Sequence, residues 1–358
     1  MTRPSIDDLG GWPGVLGRLA AGTDLGAADA AVAMCDVLEG NATPAQIAAF
    51  VFGLRCKGET VEEMTGLVSA MLDASERVVV SEGLAPRLVD TCGTGGDRTG
   101  TINVSTLAAL VVAGAGAPVC KHGGRAASSK AGSADVLEAL GVVIDLGPAG
   151  VARCIEEAGI GFCFAPRYHP AMRHALPVRR ELGVATAFNF LGPLANPARV
   201  RRQVVGVGDP AMAEKMVRVL AANGGTDVIV VHGADGLDEL STTGPSTMYR
   251  LNSGGSAPGD LERTTVDPRG LGLAPCELGD LLGDDPASNA RLARSVLDGE
   301  RGPRREIVAL NAAAGLMVAG LAGDLTEGLE LAFSTIDSGA AAARLELLVN
   351  ISREAGGS

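Results

Sequence analysis

From Leu88 onward the chain alternates short β-type runs, each ending in a glycine-rich turn, with longer helical stretches, and this alternation restricts the fold more than any other feature. The runs are Leu88–Asp90, Val142–Ile144, Gly161–Phe164, Val204–Val207 and Val228–Val231. Strands separated by helices run in the same direction, so the expectation is an α/β fold around a mostly parallel central sheet. Glycine supplies 50 of the 358 residues and aromatics only 3%, so the core must be built from Ala, Val, Leu and Ile, with close approaches between elements.

The first 84 residues read differently. Thr43-Pro44 opens a helix with Ile47, Phe50, Val51 and Leu54 on one face, Thr43 as N-cap and Pro44 in the first turn. Thr60-Val-Glu-Glu63 is a capping box before Met64, Leu67, Val68 and Met71. The expectation is a small all-helical domain over 1–84, joined by a helical segment near 178–200, and a larger α/β domain over 85–358. The stretch from Asn311 to Val349 is expected to be helical, and Asn252–Gly259 a polar loop.

A net charge of −12 argues against a phosphate backbone or anionic membrane surface as partner. The most apolar stretch, Thr106–Cys120, is broken by Gly114, Gly116 and Pro118 and is too short to span a bilayer. The start shows no charged segment followed by an apolar one. Seven scattered cysteines with no C-x-x-C pair suggest neither a disulfide framework nor a zinc site. Together these features suggest a cytoplasmic protein.

Four segments carry chemistry. In Asp90-Thr-Cys-Gly93-Thr-Gly95-Gly96-Asp97, glycines after a strand let backbone N–H groups close on an anion, and Thr101, Asn103, Val104, Ser105 and Thr106 follow at the start of an apolar helix. A lone GTGG run also suits an ordinary tight turn, but Asn103, Ser105 and Thr106 supply more hydrogen-bonding side chains than one N-cap needs. Lys121-His122-Gly123-Gly124-Arg125-Ala126-Ala127-Ser128-Ser129, with Lys130 and Ser133 beyond it, is a cationic, donor-rich loop in an acidic protein. It is either a solvated basic loop or a cradle for a phosphorylated ligand.

The third segment carries Tyr168, His169, Met172, Arg173 and His174, then Arg179, Arg180 and the Asn189–Pro197 run. It combines an apolar wall with arginines able to hold a carboxylate, as a small aromatic acid would require; a basic helix surface is the other reading. In the fourth, Val228–Val231 runs into Asp235-Gly236-Leu237-Asp238-Glu239, where adjacent carboxylates can hold Mg²⁺ through one or two oxygens or simply be solvated.

Taken together, GTGGD, NVST, KHGGRAASS, HPAMRHALPVRRELG, FNFLGPLANP and DGLDE resemble the anthranilate phosphoribosyltransferases, in the same order over nearly the whole chain. The resemblance implies Mg²⁺-dependent transfer of phosphoribose from 5-phosphoribosyl-1-pyrophosphate (PRPP) to the amino group of anthranilate in tryptophan biosynthesis. It also implies a homodimer formed through the helical domain. By position, Gly93, Gly96, Asp97, Thr101, Asn103, Val104, Ser105 and Thr106 correspond to PRPP contacts. So do Lys121, His122, Gly123, Gly124, Arg125, Ala126, Ala127, Ser128, Ser129 and Ser133. Gly93, Gly124, His169, Met172, Arg173 and Arg179 correspond to the anthranilate site, with Arg179 facing the carboxylate. Ser105, Asp238 and Glu239 correspond to metal ligands for two Mg²⁺ ions per subunit. No dedicated acid or base is implied, because an aromatic amine is already neutral and nucleophilic near pH 7.

Two positions depart from the family pattern. Gly124 stands where the family has Asn, which leaves a different aromatic acceptor open, and Arg98 replaces a glycine. A pyrimidine nucleoside phosphorylase shares the fold and a phosphate loop but should not need the acidic pair. A nucleic-acid-binding relative is opposed by the charge.

Overall fold

The computed structural model describes residues 4–95, 99–126, 130–252 and 261–357. Among the described residues, seven strands form one sheet: β1 (Val89–Gly93), β2 (Val119–Gly123), β3 (Ile160–Phe164), β4 (Arg202–Gly206), β5 (Asp227–Gly233), β6 (Ser246–Asn252) and β7 (Leu261–Val266). Their order is β3-β2-β1-β4-β5-β6-β7, with the first five parallel and the last two added antiparallel. The chain builds outward from β1 to β3 and then restarts on the other side with β4. This places a topological switch at the carboxyl ends of β1 and β4, where open α/β sheets bind ligands.

Strand side chains alternate between two apolar layers, as a period of two requires. Val204, Ile229 and Val231 pack in the layer containing helices Val104–Gly114, Pro303–Ala319 and Ala340–Gly356; Val205, Val228 and Val230 pack with Phe188–Leu194 and Pro210–Ala222. Small residues allow the helices to close on one another: a Cβ on Gly328 would lie 2.8 Å from the Ala313 side chain and 2.9 Å from its backbone. The second layer continues into the amino-terminal helices Gly11–Ala20, Ala27–Leu38, Pro44–Lys57 and Val61–Asp73. Ala175, Val178, Phe188 and Leu191 share that cluster with Phe50, Leu54 and Leu67.

The local helix signals hold. Gln46 N–H donates to Thr43 Oγ1 over 3.3 Å, with Pro44 in the first turn, and Glu63 N–H donates to Thr60 Oγ1 over 3.1 Å while its carboxylate accepts from Thr60 N–H. The Asn311–Val349 stretch is helical but divided, falling within helices 303–319, 325–337 and 340–356.

Val142–Ile144 is not a strand. Gly141, at φ +101°, breaks the chain out of the preceding helix, Val142 N–H bonds Leu137 O, and Val143 N–H bonds the Ser352 hydroxyl of the last helix. This β-branched triplet is therefore a buried connector with no ladder partner. The strands β2, β6 and β7 go beyond the sequence expectation. Asn252 ends β6, and the rest of the expected 252–259 loop lies outside the described residues.

Candidate functional site

The site is built at the switch between β1 and β4. Gly93 and Gly206 end these strands as register partners. A Cβ on Gly206 would overlap the Asp238 backbone carbonyl, and one on Gly93 would overlap its carboxylate, so two glycines admit the acidic loop. Asp238 Oδ2 accepts from Gly95 N–H over 2.7 Å, and Glu239 Oε1 accepts from Ser105 N–H over 3.2 Å. The acidic pair is thereby tied to the glycine turn and to the helix start at residue 104. Asp235 plays a different part: its carboxylate accepts from Leu237 N–H and from the Ser241 and Thr243 hydroxyls, which closes the turn.

Lys121 reaches into the same place. Its ammonium, almost fully buried, donates to Thr91 O over 2.6 Å and to Ser105 Oγ over 3.3 Å, while Thr91 Oγ1 bonds Ser105 O over 2.9 Å. Beneath it Asp90 is fully buried and accepts from His122 N–H (3.2 Å), Asn196 (2.8 Å) and Gln203 (3.4 Å). Burial raises the Asp90 carboxyl above its ordinary range, and the nearby Lys121 charge and these donors oppose that rise.

Lys121, Ser105, Gly93, Asp238 and Glu239 thus converge, as expected. Asn103 is engaged nearby, donating to Ala131 O over 3.0 Å and accepting from Asn289 over 3.1 Å. Thr101 pairs with Leu282 in an isolated bridge, and Val104 and Thr106 are buried at the helix start. Gly96, Asp97, Ala127, Ser128 and Ser129 lie outside the described residues.

The second loop is held from within. Asp135 accepts from Ala126 N–H (3.0 Å), Gly132 N–H (2.8 Å) and Arg125 (2.8 Å). Burial would raise its pKa, but these donors outweigh it and lower the value. Arg125 is exposed, paired with Asp135 and Glu138 of the following helix Ser133–Ala139, and lies 5.6 Å from the centre of the Phe164 ring. Gly123 packs tightly against Phe162 and Ser133, whereas among the described residues a Cβ on Gly124 would find Ala165, 4.0 Å away.

His122 and His169 join this loop to the aromatic-acid segment, with ring centres 5.1 Å apart. Each faces a carbonyl: His122 Nδ1 at 3.1 Å from Gly192 O, His169 Nε2 at 3.0 Å from Ala195 O. A carbonyl only accepts, so those nitrogens carry the protons. Nε2 of His122 is then a buried lone pair with no donor among the described residues. Burial first, then His169 and Lys121, lowers the His122 pKa to about 3; burial takes His169 to about 4.

Met172 packs against the helical cluster, and Arg173 is exposed on Pro170 O. Arg179, on helix Leu176–Leu182, is largely withdrawn from solvent, which lowers its pKa, and its guanidinium makes no ion pair or hydrogen bond with any described residue.

The donor set suits Mg²⁺ in kind, since Ser105, Asp238 and Glu239 all offer hard oxygens. No group of three or more His, Cys, Asp or Glu that could hold a metal occurs among the described residues. Asp90, Asn196, Gln203, Asp135 and Asn289 support the site without having been expected there. Asp90 and Asn196 stand inside the two recognised motifs; no local pattern marks the others.

A helical unit before an α/β sheet with a phosphate-type loop at the switch point defines a glycosyl transferase architecture, and the chain belongs to that family. It matches the glycosyl transferase family a/b domain over residues 85–342 and the helical bundle domain of the same family over 13–75. Within it the chain falls among the anthranilate phosphoribosyltransferases. It is 54% identical to the one from Thermomicrobium roseum over 93% of this chain and 95% of that protein. The structure of the Thermus thermophilus enzyme superposes with a TM-score of 0.88 at 41% identity, covering 95% of this chain and 99% of that one. That of the Saccharomyces cerevisiae enzyme in complex with PRPP and Mg superposes at 0.86 and 27% identity, covering 96% and 98%.

Proposed function

We propose that this chain transfers 5-phosphoribose from PRPP to the amino group of anthranilate, releasing pyrophosphate, in tryptophan biosynthesis. The observation that carries the reading is the convergence of Lys121, Ser105, Asp238 and Glu239 on the glycine turn after β1. In the reaction the amine nitrogen forms a bond to ribose C1, the bond from C1 to the pyrophosphate oxygen breaks, and the amine releases a proton.

The leaving group needs positive charge and N–H donors; Lys121, the glycine-turn amides and the amides at the helix start supply them. Ser105, Asp238 and Glu239 hold Mg²⁺, two ions per subunit, which neutralises phosphate charge when bound. Gly93, Gly96, Asp97, Thr101, Asn103, Val104, Ser105 and Thr106, with Lys121 to Ser129 and Ser133, are assigned to PRPP. Arg179, a partly desolvated cation without an ion-pair partner among the described residues, pairs with the acceptor carboxylate, and His169, Met172, Arg173, Gly93 and Gly124 line its place. Burial lowers the His122 pKa to about 3 and keeps its ring neutral, and this reading assigns catalysis to positioning and electrostatics without a dedicated base.

We place the boundary between the helical unit and the α/β unit near residue 84, with the helices over 176–194 packed into the former. The protein acts as a cytoplasmic homodimer through the helical unit, where the half-exposed Phe52 gives the surface an apolar element. No helix among the described residues is long and apolar enough to cross a membrane. The open side of Gly124 favours a second reading, a different aromatic amine as acceptor.

The metal assignment is tested with Asp238→Asn and Glu239→Gln. Both are expected to raise the Mg²⁺ concentration needed for half-maximal turnover by about ten- to a hundredfold. An unchanged Mg²⁺ response in both would remove the pair from the metal site.

A further inference from the structure

Leu237–Pro245, which contains the acidic pair, lies outside any helix or strand. Its backbone polar groups therefore need partners other than a ladder. For Leu240, the residue directly after Glu239, both partners come from one side chain. Asn311 Oδ1 accepts from Leu240 N–H over 2.9 Å, and Asn311 Nδ2 donates to Leu240 O over 2.9 Å. The second Nδ2 proton goes to Ile307 O, also over 2.9 Å, one turn back on the same helix.

Asn311 is only 3% exposed, on helix Pro303–Ala319, whose neighbouring residues are Ile, Val, Ala, Leu and Gly. An amide buried among such residues is tolerated where its donors and acceptor are met, and here the partners are the peptide groups of Leu240. A two-point bond to one residue fixes its rotation as well as its position. Rotation at Leu240 is transmitted directly to Glu239, whose carboxylate reaches Ser105 N–H, and through it to Asp238 on Gly95 N–H.

We propose that Asn311 is a positioning residue for the Asp238–Glu239 pair, setting the affinity of the site for a divalent cation in the presence of PRPP. This rests on the assignment of that pair to the metal. Burial of the Leu237 and Leu240 side chains is the competing anchor; if it suffices, Asn311 is only part of the core.

The test is Mn²⁺ binding to the full chain with PRPP present, followed by electron paramagnetic resonance, alongside steady-state rates. Asn311→Asp keeps the shape and the acceptor for Leu240 N–H and, as the carboxylate, has no donor for Leu240 O or Ile307 O. Asn311→Ser, whose vacated space water can fill, is the second variant should the aspartate not fold. Leu310→Ala, on the same helix and fully buried, is the control for loss of packing alone. Both Asn311 variants are expected to weaken Mn²⁺ binding by about ten- to a hundredfold, in the range of outer-sphere partners of metal ligands, with a parallel rise in the Mg²⁺ requirement. The KM for anthranilate should stay within about twofold, and Leu310→Ala should leave Mn²⁺ affinity unchanged within the same margin. Wild-type affinity in the Asn311 variants, or an equal loss in Leu310→Ala, overturns the proposal while leaving the metal assignment intact. If Glu239→Gln also leaves Mn²⁺ affinity unchanged, the metal assignment fails and the proposal with it.

Discussion

Gly93 and Gly206 face one another as register partners at the ends of β1 and β4, and Asp238 occupies the space that a side chain on either would need. The two positions meet different parts of that residue. At Gly206 the obstacle is the Asp238 backbone carbonyl, which cannot swing aside, so Gly206→Ala is expected to lower stability by about 1–3 kcal/mol. At Gly93 the obstacle is the end of the carboxylate, which can turn away and lose its bond to Gly95. Gly93→Ala should therefore raise the Mg²⁺ requirement with a smaller loss of stability. Urea unfolding beside Mg²⁺ titration of the rate separates the two effects.

The buried histidines set a pH dependence whose sign is fixed. His122 and His169 have folded pKa values of about 3 and about 4 against an ordinary value of 6.5. The unfolded chain thus binds more protons below pH 6.5, and stability present above that pH is lost as the pH falls toward the folded values. Asp90, raised by burial, works in the opposite direction. The informative measurement is the difference in slope between wild type and His169→Gln in urea unfolding from pH 7 to pH 4. The variant should be shallower by about 1.4 kcal/mol per pH unit, one proton's worth. Equal slopes would mean that His169 is not held neutral.

Arg179 is partly buried with no ion-pair partner among the described residues, and desolvation lowers its pKa, a condition that an added anion relieves. Arg179→Ala is expected to raise the KM for anthranilate by roughly ten- to a hundredfold, the range of one charge-assisted pair. The KM for PRPP should stay within about twofold. Equal damage to both substrates would move Arg179 out of the acceptor site.

Gly124→Asn introduces a side chain where, among the described residues, the nearest heavy atom to its Cβ is Ala165 Cβ at 4.0 Å. Stability should change by less than about 0.5 kcal/mol. The expected effect is on selectivity: the ratio of kcat/KM for anthranilate to that for other aromatic amines changes, because an amide adds two donors and an acceptor. An unchanged ratio would place position 124 away from the acceptor.

Local chemistry made much of this legible in the sequence. Thr43 and Thr60 cap their helices through neighbours three residues away, and the glycine turn, basic loop and acidic pair each announced themselves as compact motifs. Val142–Ile144 misled because an apolar β-branched triplet suits a buried connector as well as a strand, and the bond to Ser352 that decides between them crosses 209 residues. Strands β6 and β7 escaped because Ser-Thr-Met-Tyr-Arg-Leu and Leu-Glu-Arg-Thr-Thr-Val carry little continuous apolar character at the sheet's edge. Arg125, expected at the phosphate, is paired with Asp135 and Glu138 on the next helix, partners that a motif read by itself does not show. The Asn311 bonds to Leu240 span 71 residues and leave no local trace.

The central claim is tested most directly by pyrophosphate release from PRPP with Mg²⁺, measured with anthranilate, with a panel of other aromatic amines, and with no acceptor. Release that depends on anthranilate and stops when Mg²⁺ is chelated is the expected result. Release only with another amine would keep the PRPP and metal assignments and contradict the acceptor. No release with any amine would contradict the account as a whole.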